Sequence, residues 1–223
     1  MFKLGIVPFE IVKHSEYLID HFNFGKRFAA NGSPEEQRTG VIGQNMVLRL
    51  LGYPLMDGSG GCDDGTDIDY GGMKVDIKTM GRDHDPKPDW VNNYIGYQMK
   101  FKTDVFIFCS FNKSSLRLTV CGYCPKDLFI KKASYYPQGT PRYRDDGSTF
   151  PSKAPLYEIK NSDIVDVQSI QDLIEGLDLT KKILAARLIT ENPESWPGCR
   201  QFNNQGANKG AQDYHGTNPH DQT

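Results

Sequence analysis

Four charged side chains between residues 65 and 79, in the segment GTDIDYGGMKVDIKT, have the types and spacing of a catalytic site. Asp67 and Asp69 alternate with apolar residues before a Gly-Gly pair, and Asp76 and Lys78 alternate with apolar residues after it. Side chains alternate between the two faces of a strand, so each pair projects from one surface. Two carboxylates and one ammonium group at one place suit a divalent cation, an anionic substrate and an attacking water.

The Gly-Gly pair predicts the element that brings these side chains together. Gly71 and Gly72 separate two short alternating segments, which is typical of a tight β-hairpin. In such a hairpin an aspartate of the first strand meets Asp76 and Lys78 of the second strand. Asp67 and Asp69 face the same way, so either one could be that aspartate. The competing interpretation is the ordinary solvated face of a half-buried sheet.

A helix is predicted just before this hairpin, from Ser33 to Leu51. Ser33 is a good N-cap, Pro34 follows it, and Glu36 completes a capping box. Gln44 lies at the edge of the apolar stripe of this helix, beside two glycines at positions 40 and 43 that permit a close approach to a sheet.

The rest of the chain predicts further strands and helices. Residues 90–102 have helical spacing of apolar residues, 105–109 form a buried strand, 116–121 form its partner, and 164–188 form one or two helices. We therefore expect an α/β fold of the mixed α+β kind, with a central mixed sheet flanked by helices. The expected divisions are an N-terminal extension (1–32), a core domain (33–190) and a polar, flexible tail (191–223).

The charge of the chain is unevenly distributed. The net charge is −2, which excludes a globally basic nucleic-acid-binding protein, yet residues 97–160 contain 11 Lys and Arg against five Asp and Glu. The segment 121–160 also interleaves basic residues with tyrosines, a pattern that can bind a nucleic-acid backbone and stack bases. Packed tyrosines in a surface insertion explain it equally well. The candidate substrate-binding residues are Arg82, His84, Lys100, Lys131, Lys132, Arg142 and Arg144.

The five cysteines do not form a disulfide framework. Their number is odd and their spacing irregular, and no signal peptide or membrane-length apolar run is present, so we expect free thiols in the cytoplasm. Cys121 and Cys124 have the spacing of half a zinc site. No second pair follows, so packing as small apolar residues is favoured.

The order of helix, hairpin and strands resembles the PD-(D/E)xK nuclease superfamily, which includes many restriction endonucleases and Holliday-junction resolvases. The segment GTDI at 65–68 is similar to the first acidic motif of these enzymes, and DIK at 76–78 to the acid-x-Lys motif. The segment GVIGQ at 40–44 is similar to their helical Gly-x-x-Gly-Glu motif, with Gln44 in place of the glutamate. Thr66 stands where those proteins usually have proline. The resemblance covers residues 33–125. The members that the chain resembles include phage and prokaryotic proteins.

This resemblance implies a restriction-endonuclease-like core and Mg²⁺-dependent hydrolysis of DNA phosphodiesters, with Mn²⁺ as a substitute. It implies that Asp67, Asp76 and the carbonyl group of Ile77 hold the metal, and that Lys78 and Gln44 assist the reaction. The implied partner is DNA, with a homodimer as one assembly, no membrane and a cytoplasmic location, in the host if a phage encodes the chain. The alternatives are an inactive DNA-binding or assembly protein of the same fold, an RNA substrate and a zinc module at Cys121 and Cys124.

Overall fold

A computed structural model describes residues 1–22, 24, 32–59, 65–143 and 149–191 of the chain. The chain divides into two compact units, Met1–Asp178 and Leu179–Thr223. The strands are β1 (Phe2–Ile6), β2 (Ile68–Tyr70), β3 (Met73–Arg82), β4 (Val91–Ile95), β5 (Val105–Asn112), β6 (Arg117–Pro125), β7 (Ser134–Tyr136), β8 (Pro141–Tyr143), β9 (Thr149–Pro151) and β10 (Leu156–Lys160). The α-helices are α1 (Phe9–His21), α2 (Pro34–Leu50), α3 (Lys126–Lys132) and α4 (Ile170–Glu191), and short 3-10 helices span Gly96–Lys100 and Asn161–Asp163.

The central sheet of the first unit has five strands in the order β1-β6-β5-β3-β2. β3 and β5 pair in parallel over eight residues, whereas the other neighbours are antiparallel. The α/β class and the mixed sheet flanked by helices are thus confirmed. β5 is buried along its whole length, as expected of a strand covered on both faces.

The predicted hairpin is confirmed. β2 pairs with β3 with Ile68 opposite Val75, and the two glycines at the turn, Gly71 and Gly72, have φ values of +59° and +92°. Side-chain-bearing residues rarely adopt this left-handed conformation, so the turn requires glycine. β2 has only three residues and β3 has ten. The outer edge of β3 beyond Val75 is therefore not paired with any strand in the described part of the chain.

The helix before the hairpin, α2, packs on β3 and begins as predicted. The Ser33 side chain accepts a hydrogen bond from the Glu36 N–H, and the Glu36 carboxylate accepts one from the Ser33 N–H, which completes the capping box. Gly43 fixes the distance to the sheet, because a Cβ atom there would lie 1.8 Å from Thr79 Oγ1. Only glycine permits this approach.

The prediction of a helix over residues 90–102 is wrong. The segment forms β4 followed by a 3-10 helix, and β4 pairs over its full length with β10, from the far end of the 121–160 segment. Asn92 and Tyr94 are buried while Asn93 between them is exposed, which is the two-residue period of a strand. The decisive partner lies far along the chain, so local spacing did not reveal it.

A second layer covers the face of the central sheet that carries Asp76 and Lys78. β4, β10 and β7 form a three-stranded sheet in the order β4-β10-β7, and β8 and β9 pair beside it. Tyr94 of this layer packs edge-on against Phe106 of β5 and Phe129 of α3, at ring-centroid distances of 4.8 and 5.6 Å. This aromatic cluster forms one of the cores of the first unit.

The expected N-terminal extension contributes structure to the same compact unit. β1 is an edge strand of the central sheet through its pairing with β6, and α1 packs against α2.

In the second unit, Leu179–Glu191 continue the last helix, α4. From residue 192 onward the expected tail lies outside the described residues. No helix among the described residues is long and apolar enough to cross a membrane.

Candidate active site

A cleft of about 770 Å³ runs along the unpaired edge of β3, from Ile77 to Arg82. The N-terminal half of α2 forms one wall, and β4 with the start of β10 forms the other. Five of the sequence-predicted residues line it: Gln44, Asp67, Ile77, Lys78 and Arg82. The short β2 strand creates this opening, because it leaves one edge of β3 unpaired beside the candidate residues, while the other edge pairs with β5.

Asp67 precedes β2 and is held against β3 by two hydrogen bonds. Its N–H donates to the carbonyl of Val75 at 2.9 Å, and its carboxylate accepts a hydrogen bond from the Ile77 N–H at 2.6 Å. The carboxylate therefore lies against the backbone of the residue between Asp76 and Lys78. The N–H and carbonyl of one residue in a strand point to the same edge, so the Ile77 carbonyl also points toward Asp67.

Asp76 and Lys78 form an ion pair, with Lys78 Nζ 2.8 Å from Asp76 Oδ1. Asp76 is 1% exposed and does not line the cleft, whereas the Lys78 side chain is 16% exposed and does. Lys78 Nζ also lies 5.4 Å from the centre of the Tyr94 ring. The ammonium group thus sits between a buried carboxylate, an aromatic face and the cleft, where a substrate anion could replace part of its pairing.

Asp67 and Asp69, between which the sequence left the choice open, differ in their contacts. The Asp69 carboxylate accepts hydrogen bonds from the Gly72 N–H at 2.6 Å and from Lys74 Nζ, and it does not line the cleft. The bond from Lys74, followed by that from Gly72, lowers the pKa of Asp69. Asp69 therefore stabilises the hairpin turn, and Asp67 is the acid that faces the candidate site.

Gln44 reaches the cleft from the α2 wall. It is half-buried, and its amide has no hydrogen-bond partner among residues 1–22, 24, 32–59, 65–143 and 149–191. Gly43 beside it lets α2 approach β3 closely, which brings the amide toward the β3 edge. The donor set around Ile77 thus consists of carboxylate, carbonyl and amide oxygens, the ligands that Mg²⁺ prefers.

Lys126, at the start of α3, is a charged neighbour of Asp76 that the sequence did not suggest. Its ammonium group donates a hydrogen bond to the Phe101 carbonyl. Burial lowers its pKa, and the nearby charges of Asp104 and Asp76 partly oppose this effect. Asp76 therefore lies in the field of two lysines.

The predicted basic residues do not converge on the cleft. Arg82 lines it and stacks on the Trp90 ring at 4.9 Å, with its guanidinium donating to the Val91 carbonyl. His84 and Lys100 are exposed and lie outside the lining. Lys131 and Lys132 lie on the exposed side of α3, where Lys132 donates to the Asp163 carbonyl.

The Arg142 side chain is engaged in contacts within the protein. Its guanidinium pairs with Glu158, which is 8% exposed, and lies 3.8 Å from the centre of the Tyr136 ring. A charge used to neutralise a buried carboxylate is a poor candidate for binding phosphate. Arg144 lies outside the described residues.

Other polar residues line the cleft that the sequence did not single out as site residues: Asn93, Gln98, Lys113 and Lys153. Lys113 pairs with Glu35 at 3.0 Å and with Asp83, and the hydrogen bond that it donates to Glu35 is the main reason that its pKa is raised. Lys153 is exposed. The alternation of Asn92, Asn93 and Tyr94 was the available signal for Asn93, but it was masked by the competing helical spacing.

The three described cysteines are free thiols packed as apolar residues. Cys121 and Cys124 belong to the aromatic cluster, and burial raises the pKa of each thiol to about 12. Cys109 is likewise buried, with a raised pKa. Among the described residues no three His, Cys, Asp or Glu side chains are grouped closely enough to hold a metal ion by themselves.

A cation that needs few protein ligands is the kind that such oxygen donors suit. Mg²⁺ usually binds through one or two carboxylates and completes its shell with water and substrate phosphate. Asp67, Ile77 and Gln44 offer oxygen donors at the cleft, whereas Asp76 lies outside its lining and is paired with Lys78. Comparison with known proteins found no matching family model, no matching curated protein and no matching solved structure.

Proposed function

We propose that the protein is a metal-dependent nuclease that hydrolyses DNA phosphodiester bonds, most simply as an endonuclease. The observation that carries this proposal is the hydrogen bond from the Ile77 N–H to the Asp67 carboxylate. It holds an acid against the backbone between Asp76 and Lys78, in a cleft that Gln44 also enters. Carboxylates, an ammonium group and an amide at one strand edge form a set suited to phosphoryl chemistry.

Each residue then has a distinct task. Asp67 and Asp76, with the Ile77 carbonyl, would hold Mg²⁺ or Mn²⁺, which supplies Lewis acidity toward the phosphate and makes water more acidic. Lys78 would turn its ammonium group from Asp76 toward the phosphate and offset the charge that develops there. Gln44 would orient the attacking water or the phosphate through its amide. The protein would act on DNA in the cytoplasm, with a homodimer as one assembly.

A second candidate function is DNA binding or assembly without turnover. Two observations favour it. The helix contributes the neutral Gln44 where the resembling nucleases have a carboxylate. In addition, Asp76 is almost fully buried and paired with Lys78, so a metal must compete with an existing ion pair.

One experiment separates the two functions. Purified protein is incubated with plasmid, linear duplex, single-stranded and branched DNA, with Mg²⁺, with Mn²⁺ or with EDTA. The nuclease proposal expects cleavage that requires the metal and disappears in Asp76→Asn, which keeps the size of the side chain but loses its charge. Binding in EDTA without cleavage under any metal would support the inactive protein, and thermal unfolding would show that the variant is folded.

A further inference from the structure

We propose that the wall of the cleft opposite α2 is a pocket for one unpaired nucleobase of the substrate strand. This inference deepens the proposed function and rests on it, because it names the substrate as DNA with an unstacked base. The pocket consists of Asn93, Ile95, Gln98 and Leu156, with Lys153 among the cleft-lining residues on the same side.

Strand alternation creates the apolar part of this pocket. Asn92 and Tyr94 of β4 point into the first unit, so Asn93 and Ile95 point to the cleft. Leu156 of β10 lies directly opposite Ile95 in the ladder and is also half-buried on that face. Two neighbouring aliphatic side chains provide an apolar surface against which a planar ring can pack.

Two amides border this apolar surface. Asn93 is exposed, Gln98 is half-buried, and within the described ranges neither side-chain amide has a hydrogen-bond partner. A carboxamide offers one acceptor and two donors and can pair with the edge of a base in a bidentate manner. An apolar surface with a few convergent polar groups is the usual composition of a small-molecule pocket.

Among the described residues, the contacts around Asn93 do not engage its side-chain amide. Glu158 is the residue opposite Asn93 in the ladder, and its buried carboxylate pairs with Arg142 instead. Arg142 in turn stacks on Tyr136, whose strand pairs with β10 at Leu156. This internal network neutralises the charge next to the pocket without using the amide of Asn93.

The dimensions of the cleft favour an unpaired base over an intact duplex. A volume of about 770 Å³ lies within the range of small-molecule pockets. A base must leave the stack to pair its edge with these two amides, and this costs least in single strands or at mismatches.

The test measures binding in EDTA, where the metal-dependent reaction does not proceed. Fluorescence anisotropy is recorded with a labelled single strand, with the matched duplex, and with a series of single strands in which one base at a time is replaced by an abasic site. A base pocket predicts that the single strand binds more tightly than the duplex. It also predicts that one abasic position lowers affinity about tenfold while the others have little effect.

The variants assign this effect to the pocket. Asn93→Ala with Gln98→Ala should bind the intact strand about tenfold more weakly and lose the dependence on abasic position. The near-isosteric double variant, Asn93→Leu with Gln98→Met, removes the same hydrogen bonds while keeping side-chain volume. If the alanine variant unfolds, this second variant tests the base pocket in its place. Gln171→Ala, an exposed amide on α4 that bonds Glu175, is the control and should bind like the wild type.

The outcomes separate this inference from the nuclease proposal. Equal binding of duplex and single strand, no positional effect, or positional discrimination that survives in both pocket variants would overturn the base pocket. If Mg²⁺-dependent cleavage persists in any of those cases, the nuclease proposal stands without the base pocket. Failure to bind or cleave any DNA would overturn both.

Discussion

The Asp67 carboxylate has a structural contact and, in the proposed function, a chemical role, and substitution can separate the two. We expect Asp67→Asn to abolish Mg²⁺-dependent cleavage, because an amide oxygen can still accept the Ile77 N–H but carries no charge for the metal. Stability should change little, since that hydrogen bond is retained. Nuclease assays and thermal unfolding of the same preparation would measure the two effects.

Asp69→Asn is the matched comparison, because both aspartates share the first strand of the hairpin. Its carboxylate bonds Gly72 and Lys74 at the turn, so the substitution should lower Tm slightly and leave cleavage intact. Loss of cleavage in Asp69→Asn together with activity in Asp67→Asn would exchange the two assignments.

Substitution of Gln44 tests how much a neutral side chain contributes to cation binding at the proposed site. Gln44→Ala should reduce cleavage less than loss of either Asp67 or Asp76, because an amide contributes less to cation binding than a carboxylate. Titration of the rate with Mg²⁺ would show the effect as a higher metal requirement. A loss of activity as complete as that in Asp67→Asn would show that Gln44 has an essential role in the reaction.

The buried cysteines give a chemical test of the zinc alternative. In native protein at pH 8, Cys109, Cys121 and Cys124 should resist alkylation, because each is buried with a raised pKa and so remains a protonated thiol. Denatured protein should react at all five cysteines. Mass spectrometry would locate the modified residues, and stoichiometric zinc in purified protein would contradict the packed-thiol interpretation.

The elements that could be predicted from the sequence are those specified by neighbouring residues. Ser33, Pro34 and Glu36 specify the start of α2, and Gly71 with Gly72 specify the hairpin turn, since both motifs act within a few residues. β4 could not be predicted, because its register depends on β10 some sixty residues later. The cleft depends on the same distant pairing, which explains why Asn93 and Lys153 were missed while Asp67 and Lys78 were found.

The contact between α2 and β3 is the element-scale feature that most directly positions Gln44. Gly43→Ala should destabilise the protein by about 1–3 kcal/mol, because the new Cβ would lie 1.8 Å from Thr79 Oγ1 and must push the helix from the sheet. Gly40→Ala is the control in the same helix. Its Cβ would meet nothing within 4 Å, so replacing glycine should stabilise the helix by up to ~1 kcal/mol. Urea denaturation would measure both, and equal effects would show that the helix does not need the close approach.

On the scale of the whole molecule, the structure changes which basic residues we expect to hold DNA. The segment 121–160 is not one surface, because Arg142 is engaged with Glu158 and the lysines of α3 lie outside the cleft. Arg142→Ala should therefore lower stability, by leaving a buried carboxylate without its cation, rather than weaken DNA binding alone. Lys153, exposed and on the cleft, becomes the better candidate for a phosphate contact.

Salt dependence distinguishes a phosphate contact from a merely solvated lysine. Each contact releases a counterion, so Lys153→Ala should reduce the slope of log affinity against log salt by about 0.7 for single strands and about 0.9 for duplex DNA. Lys131→Ala removes the same charge from the exposed side of α3, outside the cleft, and should leave the slope unchanged. The net charge of the protein changes equally in both variants, so a difference between them reflects position alone. If the slope is reduced in Lys131→Ala and unchanged in Lys153→Ala, the DNA path runs along α3 and not through the cleft.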